Sequence, residues 1–177
     1  MGCLSMKIKL LIKSLGFVLL VCLVQQSTAA AIHSVSASGA PQHISDAAFQ
    51  QMILQYVNEY RAKHHRAPLK LINPISIEAE KHSREMATKA IPFGHQHFNT
   101  RVKHLNKEIK DCRGTAENVA YYKFNAKKLV DAWIASPGHR QNIEGNYNLT
   151  GIGIAHGKTG WAYYTQIFIR SDDPRYS

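Results

Sequence analysis

Apolar residues recur at steps of three and four positions in four stretches of the chain, and this spacing predicts amphipathic helices. The four predicted helices cover residues 46–64, 74–90, 98–108 and 125–136. Asp46 and Asn125 are favoured N-cap residues, and Pro74 suits the first turn of a helix, where its missing N–H is not needed. The first helix ends before Pro68 and the last before Pro137, because the residue preceding a proline is disfavoured in helical geometry.

The last third of the chain changes to a period of two, which predicts strands. Residues 150–155 and residues 161–169 each alternate apolar with small or polar side chains. The glycine-containing segment 156–160 between them predicts the turn of a β-hairpin. Gly151 and Gly153 lie on one face of the first strand, so we expect a helix or another backbone to approach that face closely.

Helices followed by a hairpin predict the fold class α+β, in which helices cover a small antiparallel sheet. The expected single domain spans residues 46–171. A flexible lead-in rich in Ser, Ala, Gly and Pro precedes it at residues 30–45, and a short tail follows at residues 172–177. With 177 residues, the chain has room for one such domain with a sizeable core after removal of a leader.

Residues 1–29 have the pattern of a signal peptide. A basic segment precedes an apolar run at residues 15–24, and small residues follow, so cleavage is expected near residues 29–31. The run is about half the length of a transmembrane helix. Val21 is too bulky for a lipoprotein site before Cys22. We therefore expect a secreted protein, in an extracellular or periplasmic location.

The chain after the leader is basic, with 19 Lys and Arg against 12 Asp and Glu. This charge favours anionic partners such as phospholipid or glycan, and no nucleic-acid-binding motif accompanies it. Cys112 is the one cysteine after the leader, so the domain must be stable through its core rather than through an internal disulfide. We expect Cys112 to be a partly buried, unreactive thiol at the end of a helix.

Three polar stretches combine a titratable side chain with small or conformationally special neighbours, which is typical of a pocket rather than a core. They are residues 92–98, 116–120 and 136–143, which carry His95, Glu117 and His139. Two neutral imidazoles from loops can bind a divalent ion and leave positions open for water or substrate. Glu117 can accept the second N–H of a ligand histidine or act as a base on bound water. The alternative is a polar cleft sealed by hydrogen bonds among these side chains.

Other polar residues are weaker candidates. Four histidines lie in helical patterns beside Lys or Arg, where surface positions are expected: His64, His65, His82 and His104. His97 lacks the preceding glycine that His95 has. Asn118 follows Glu117 and is predicted to line or support the cleft. Gln166 lies among aromatic residues of the last strand and is a second candidate for the cleft, although half-buried sheet packing explains it equally well. The sequence has no Gly-x-Ser-x-Gly, His-Glu-x-x-His or phosphate-binding glycine loop, which argues against the enzyme classes that use them.

Five motifs follow one another along the chain. They are Phe93-Gly94-His95-x-x-Phe98, Ala116-Glu117-Asn118-Val119-Ala120, Ala132-Trp133-x-x-Ser136-Pro137-Gly138-His139-Arg140-x-Asn142-Ile143, Gly151-Ile152-Gly153-Ile154-Ala155 and Tyr164-Thr165-Gln166-x-Phe168. In this order they resemble the CAP superfamily (the SCP domain of cysteine-rich secretory proteins, antigen 5 and pathogenesis-related 1 proteins), and its bacterial exported branch in particular. The resemblance covers about residues 53–169 and implies an α-β-α sandwich with a large central cleft.

The resemblance also implies roles for the candidate residues. His95 and His139 match the two cleft histidines, which bind a divalent metal in several members, and Glu117 matches a cleft glutamate. Ala116 stands where the animal and plant proteins have glycine, and no second glutamate lies around Ser136. The disulfides of those members are missing too. The resemblance therefore implies two histidines and one glutamate in place of a four-residue site.

The leading hypothesis is a secreted binding or interaction module whose cleft holds a divalent cation or a small ligand at His95, Glu117 and His139. Zinc is the favoured cation. A binding module is favoured over an enzyme because no residue is an activated nucleophile. One alternative is a metal-assisted hydrolase of peptides or esters that uses Glu117 as base beside His139. Another is a lipid or sterol binder. The expected partner is an extracellular ligand or surface, such as anionic lipid or glycan, and the protein is expected to be a monomer.

Overall fold

The computed structural model describes residues 44–123 and 125–176, apart from the side chain of Thr159. Its helices are α1 (Asp46–Lys63), α2 (Asn73–Ala87), α3 (Phe98–Glu108), α4 (Ala126–Ala135) and α5 (Pro137–Ile143). Its strands are β1 (Lys70–Leu71), β2 (Cys112–Tyr122), β3 (Leu149–His156) and β4 (Ala162–Ser171). The predicted signal peptide and most of the predicted lead-in lie outside the described residues.

The four predicted helices are present, with differences at their ends. α3 has the predicted bounds, and Asn125 caps α4 by accepting a first-turn backbone N–H at 2.9 Å. The N-cap of α1 is Ser45 rather than Asp46, because the Ser45 backbone is extended and its hydroxyl accepts a backbone N–H at 3.2 Å. α2 ends at Ala87, before the predicted end near residue 90, and Lys89 turns the chain with a left-handed φ of 61°.

The sheet contains the predicted hairpin and two strands that the sequence pattern did not predict. Its strand order is β1-β3-β4-β2. β3 and β4 are antiparallel, with Leu149 opposite Ile169 and His156 opposite Ala162, which confirms the hairpin. β2 pairs with the other side of β4 in an antiparallel register, and β1 forms a short parallel pair with β3. The sheet is therefore mixed rather than purely antiparallel, and β2 lies at its edge.

The strand β2 corrects the expectation that Cys112 ends a helix. The helix ends at Glu108, Asp111 turns the chain with a φ of 51°, and Cys112 begins the strand. Glu117 and Asn118 are buried in the middle of β2, with exposures of 6% and 0%. These polar residues interrupt the apolar alternation by which a strand is predicted.

Helices cover both faces of the sheet, which confirms the α-β-α sandwich. One face packs on α1 and α4, and its buried apolar residues include Val57, Leu129, Trp133, Ile152 and Phe168. The other face packs on α2 and α3, and its buried apolar residues include Ile75, Ala79, Leu105, Ile167 and Ile169. Because side chains alternate along a strand, neighbouring residues of β2 face different helical layers.

α2 lies directly on the glycine face of β3, as predicted. A Cβ atom on Gly153 would lie 2.1 Å from the carbonyl carbon of Ala79, and one on Gly151 would lie 2.2 Å from that of Ile75. These backbone atoms leave no room for a side chain, so both positions require glycine. The close contact fixes the height of α2 above the sheet.

A buried arginine attaches α1 to the segment before β1 and to the segment before β3. Arg61 is 1% exposed. Its guanidinium donates to the backbone carbonyls of Ala67 (2.8 Å), Ile143 (2.6 Å), Gly145 (3.0 Å) and Tyr147 (2.9 Å). This fan of hydrogen bonds holds a turn that has little regular structure of its own.

Residues 172–176, which the sequence pattern places after the domain, pack against it. They end in a 3-10 turn at Pro174–Tyr176. Asp173 is 4% exposed, and Arg175 donates to the carbonyl of Glu108 at the end of α3 at 2.8 Å. The packed part of the chain therefore extends past residue 171.

Candidate functional site

A cavity of about 540 Å³ lies beside β2, the strand at the edge of the sheet. Its lining comes from the loop between α2 and α3 on one side and from α4 and α5 on the other. The apolar part of the lining includes Phe93, Val119, Tyr121, Ala132 and Trp133. The polar part includes His95, Ser136 and His139. The structure thus brings two predicted histidines from distant stretches of the chain to the same cavity.

Glu117 fixes the ring of His95. The Nδ1 atom of His95 lies 2.9 Å from Oε1 of Glu117. Because a carboxylate accepts hydrogen bonds, Nδ1 carries the proton and Nε2 keeps its lone pair. The His95 side chain is 52% exposed, whereas the Glu117 side chain is 2% exposed. The carboxylate therefore supports the histidine from beneath, and the histidine reaches the cavity.

Arg101 neutralises Glu117 from the opposite side. Its Nε donates to Oε2 at 2.9 Å and its Nη2 donates to Oε1 at 2.8 Å, so the pair is bidentate. The Arg101 side chain is 6% exposed. A buried carboxylate needs such a partner because desolvation strongly disfavours an isolated charge. Arg101 was not predicted as a site residue, although it precedes the buried Leu105 by four positions and so shares the buried face of α3.

His82 is buried, which corrects its predicted surface position. Its side chain is 0% exposed, and its Nε2 lies 2.8 Å from the carbonyl oxygen of Gly94. Burial lowers the pKa of His82 below its usual value, although the neighbouring Glu117 acts in the opposite direction. The signal for burial was present in the sequence: Ile75, Ala79, His82 and Met86 recur at steps of four, three and four along α2.

His139 reaches the cavity from the other helical layer. Pro137 begins the short helix α5, which carries His139 in its first turn. Burial lowers the pKa of His139, and electrostatic repulsion between the two rings when both are protonated acts in the same direction. The ring is therefore neutral at neutral pH, the form in which an imidazole can bind a cation.

Asn118 supports the segment that carries His139. Its Nδ2 donates to the backbone carbonyl of His139 at 3.1 Å. Asn142 in turn donates to Oδ1 of Asn118 at 2.8 Å and to the backbone carbonyl of Glu117 at 3.2 Å. Asn118 and Asn142 thus connect β2 to the segment that carries His139.

Gln166 lies in the core and does not line the cavity. It is 0% exposed, and its Nε2 donates to Oγ1 of Thr150 at 3.2 Å. Its Oε1 has no hydrogen-bond partner among the described residues. The register places Gln166 opposite Asn118, so it is a neighbour of the supporting network rather than of the cavity.

Four further histidines and the cysteine of the described residues do not line the cavity. His64, His65 and His104 are exposed, as predicted, and so is His97. Cys112 is half-buried, and burial raises the pKa of its thiol. These properties agree with an unreactive thiol.

Among the residues that line the cavity, His95 and His139 are the side chains suited to bind a cation. The described residues contain no group of three or more His, Cys, Asp or Glu side chains arranged to hold a metal ion. Ser136 lines the cavity in the region where the resemblance places a second glutamate. A cation bound at His95 and His139 would therefore need further ligands from water or from a bound molecule.

Aromatic side chains form the rim of the cavity. Phe93 is 53% exposed and Tyr121 is 38% exposed. The Tyr121 ring stacks on Trp161 at 4.3 Å and lies 4.4 Å from the ring of Tyr163. Lys123 lies over the Trp161 ring at 5.6 Å. Tyr121 thus links the aromatic rim to a stack of aromatic rings outside the cavity lining.

The family model for CAP, the cysteine-rich secretory protein family, matches residues 54–168. The chain belongs to the CAP family. It is also 29% identical over 134 residues to the uncharacterized protein YkwD of Bacillus subtilis strain 168. That match covers 75% of this chain and 50% of YkwD, so the chain spans about half the length of this curated relative.

Solved structures share the CAP fold of this chain. An outer surface protein from Borrelia burgdorferi matches with a TM-score of 0.60 and 16% identity, over 69% of this chain and 92% of that protein. An extracellular protein containing an SCP domain, from Bacillus anthracis strain Ames, matches with a TM-score of 0.60 and 23% identity, over 71% of this chain and 41% of that protein. These likenesses concern the fold alone. Among the described residues, no helix is both long and apolar enough to cross a membrane.

Proposed function

We propose that this CAP domain is an exported binding module whose cavity holds a divalent cation between His95 and His139. Zinc is the favoured cation. The observation that carries the proposal is the hydrogen bond of 2.9 Å between Nδ1 of His95 and Oε1 of Glu117. A carboxylate in this position is the usual support of a metal-binding histidine, because it fixes the tautomer and the direction of the free nitrogen. His139 lines the same cavity, and its lowered pKa keeps its ring neutral.

The contacts of Glu117 favour a supporting role over that of a general base. Both of its oxygens accept hydrogen bonds from Arg101, and one also binds His95. Its side chain is 2% exposed, so bound water has little access to it. A general base must reach the proton that it removes. This observation favours the binding module over the metal-assisted hydrolase.

The apolar part of the cavity favours a ligand that has an apolar portion and an anionic or oxygen-donor group. When bound, the cation would supply a positive charge that attracts a carboxylate or another oxygen donor. Phe93, Tyr121 and Trp133 would contact the apolar part of the same molecule. The lipid or sterol alternative is thereby narrowed to amphiphilic molecules with an anionic group.

Mass spectrometry of the protein purified under native conditions tests whether the bound molecule carries an anionic group. Recovery of only uncharged lipids would contradict this expectation.

Export is part of the proposal because residues 1–29 have the signal-peptide pattern. It agrees with the descriptions of two proteins of the same fold as an outer surface protein and an extracellular protein. The basic charge after the leader favours an anionic extracellular partner such as lipid or glycan. Detection of the mature protein outside the cytoplasm, with an N-terminus near residue 30, tests the export.

The metal part is tested by calorimetric titration of the purified protein with zinc chloride. We expect one zinc ion per chain, with the affinity lost in the double variant His95→Ala, His139→Ala. The variant His104→Ala is the matched control, because His104 is exposed and lies outside the cavity lining. If the double variant binds zinc as the original protein does, the metal part of the proposal is wrong.

A further inference from the structure

His82 is a third histidine at the site, and it lies behind the cavity rather than in it. Its side chain is 0% exposed and is not part of the cavity lining. Its Nε2 is 2.8 Å from the carbonyl oxygen of Gly94 and 3.8 Å from Oε1 of Glu117. Because a carbonyl oxygen only accepts, Nε2 carries a proton that points at the backbone of the residue before His95.

The other ring nitrogen of His82 indicates why a histidine occupies this buried position. Nδ1 is buried and has no hydrogen-bond partner among the described residues. Burying a polar atom without a partner destabilises a protein, so packing alone would favour an apolar side chain here. The bond from Nε2–H to the Gly94 carbonyl is the interaction that an apolar side chain could not make.

The segment that His82 contacts has little structure of its own. Residues 92–97 lie between α2 and α3, outside any helix or strand. Gly94 has a φ of 145° and His97 a φ of 61°, conformations that side chains disfavour. Such a segment keeps one shape only if the surroundings hold it.

Three side chains hold three consecutive residues of this segment. His82 donates to the carbonyl of Gly94, and Glu117 accepts from the ring of His95. Arg101 donates to the carbonyl of Gln96 at 2.7 Å. The backbone is thus fixed immediately before and after His95, and the His95 ring is fixed between these two points.

We propose that His82 is a positioning residue for His95. Its hydrogen bond to Gly94 sets the path of the backbone and thereby the direction in which Nε2 of His95 enters the cavity. The expected effect on zinc rests on the proposed function, whereas the effect on the orientation of the His95 ring does not. Residues that support a metal-binding side chain in this way change metal affinity by about 10- to 100-fold when they are replaced.

The test compares His82→Leu, which removes the donor, with His82→Gln, whose amide N–H can reach the same carbonyl. Zinc chloride is titrated into each purified variant at a temperature well below its unfolding transition. We expect His82→Leu to weaken zinc binding by about tenfold or more and His82→Gln to stay within about threefold of the original protein. His104→Leu, which removes an exposed histidine, is the matched control and should leave the affinity unchanged.

A second measurement needs no metal. Nitrogen-15 NMR of the metal-free protein reports the tautomer of His95 and the hydrogen exchange of the amides of residues 94–97. We expect His82→Leu to shift the His95 ring signals and speed this exchange, and His82→Gln to restore both. If His82→Leu does not fold, His82→Asn takes its place, because its shorter amide cannot reach Gly94.

The two measurements separate the two proposals. If the original protein binds no zinc while His82→Leu still changes the His95 signals, the metal part of the function fails and the positioning role stands. If a folded His82→Leu or His82→Asn leaves the His95 signals, the amide exchange and any zinc affinity unchanged, the positioning role is wrong. Equal losses in His82→Gln and His82→Leu also overturn it, because the retained donor then has no effect.

Discussion

Arg101 donates to both carboxylate oxygens of Glu117 inside the protein, through Nε to Oε2 at 2.9 Å and through Nη2 to Oε1 at 2.8 Å. The pair places a permanent positive charge behind the carboxylate that supports His95. Arg101 therefore supplies the charge partner that a buried carboxylate needs, and no metal ion is required for that purpose. This relationship decides how variants of the site are expected to behave.

Replacing Glu117 by Gln should cost stability and cation affinity together. The variant leaves the Arg101 charge buried without a partner, and breaking a buried ion pair in this way destabilises by about 3–5 kcal/mol. Urea denaturation measures this loss. The double variant Glu117→Leu, Arg101→Met should recover much of the stability, because it removes both charges, but it should not recover zinc binding. A double variant as unstable as Glu117→Gln would contradict this account.

Stability should fall as the pH falls below about 6.5. His82 has a lowered pKa in the fold, mainly through burial. Arg101 adds to this effect, whereas Glu117, the hydrogen bond to Gly94 and Glu85 oppose it. The unfolded chain takes up a proton near the ordinary histidine pKa of 6.5 while the folded ring stays neutral, so acid favours unfolding. One such group changes the free energy of unfolding by at most about 1.4 kcal/mol per pH unit.

The measurement is the free energy of unfolding of His82→Gln and of the original protein between about pH 8 and pH 5. We expect this free energy to change less steeply with pH in His82→Gln. Parallel slopes would show that His82 does not titrate differently in the two states.

Replacing Gly153 by Ala should separate α2 from the sheet. The added Cβ would lie 2.1 Å from the backbone of Ala79, which cannot move without the whole helix. We expect a loss of about 3 kcal/mol, at the upper end of the range for overpacked cores. Gly138→Ala is the control, because a Cβ there meets nothing within 4 Å, and it should stabilise α5 by up to about 1 kcal/mol. Similar unfolding free energies for the two variants would refute the close packing of α2.

Replacing Arg61 by Met should destabilise the turn before β3. Arg61 donates to four carbonyls, and buried acceptors left without donors cost about 1–3 kcal/mol each. We expect a total loss of at least about 3 kcal/mol by thermal or urea denaturation, with little recovery in Arg61→Lys, because one ammonium group cannot replace the planar fork. Lys63→Met, which changes an exposed residue of the same helix, should stay within about 0.5 kcal/mol.

Replacing Ser136 by Glu should strengthen zinc binding. Ser136 lines the cavity with both histidines, and its side chain makes no cap hydrogen bond in α5 that the change would remove. A third protein donor completes the number usual in open zinc sites, so we expect an increase of about tenfold or more. Gln141→Glu adds the same charge to an exposed position of α5 and should leave the affinity unchanged. An equal increase in both variants would indicate a general charge effect rather than a new ligand.

The helices and the hairpin could be predicted because their apolar periods are regular and their ends carry cap residues. The close approach at Gly151 and Gly153 could be predicted for a similar reason, since two glycines on one face of a strand remove the side chains that would keep a helix at a distance. β2 could not be predicted in this way. The middle of β2 contains Glu117 and Asn118, whose polar side chains are buried through hydrogen bonds. In the sequence alone, such polar residues resemble those of a loop.

The sequence predicted the two histidines of the candidate site together with Glu117 and Asn118, but not the buried helical residues His82 and Arg101. His95 and His139 stand beside glycine, so they were visible as residues presented from turns. Arg61, His82 and Arg101 lie on the buried faces of helices, at positions where a charged or titratable side chain is ordinarily turned to solvent. Their roles depend on carbonyls and a carboxylate that only the folded chain brings to them.

The two histidines belong to opposite helical layers, yet both are tied to consecutive residues of one strand. Glu117 holds the His95 ring on one face of β2, and Asn118 holds the carbonyl of His139 on the other. A single peptide unit therefore acts as the spacer between the two halves of the site. A disturbance of the β2 backbone at this point, such as an inserted residue between Glu117 and Asn118, should therefore displace both halves of the site at once, whereas a change within one helical layer should act first on the half that this layer carries.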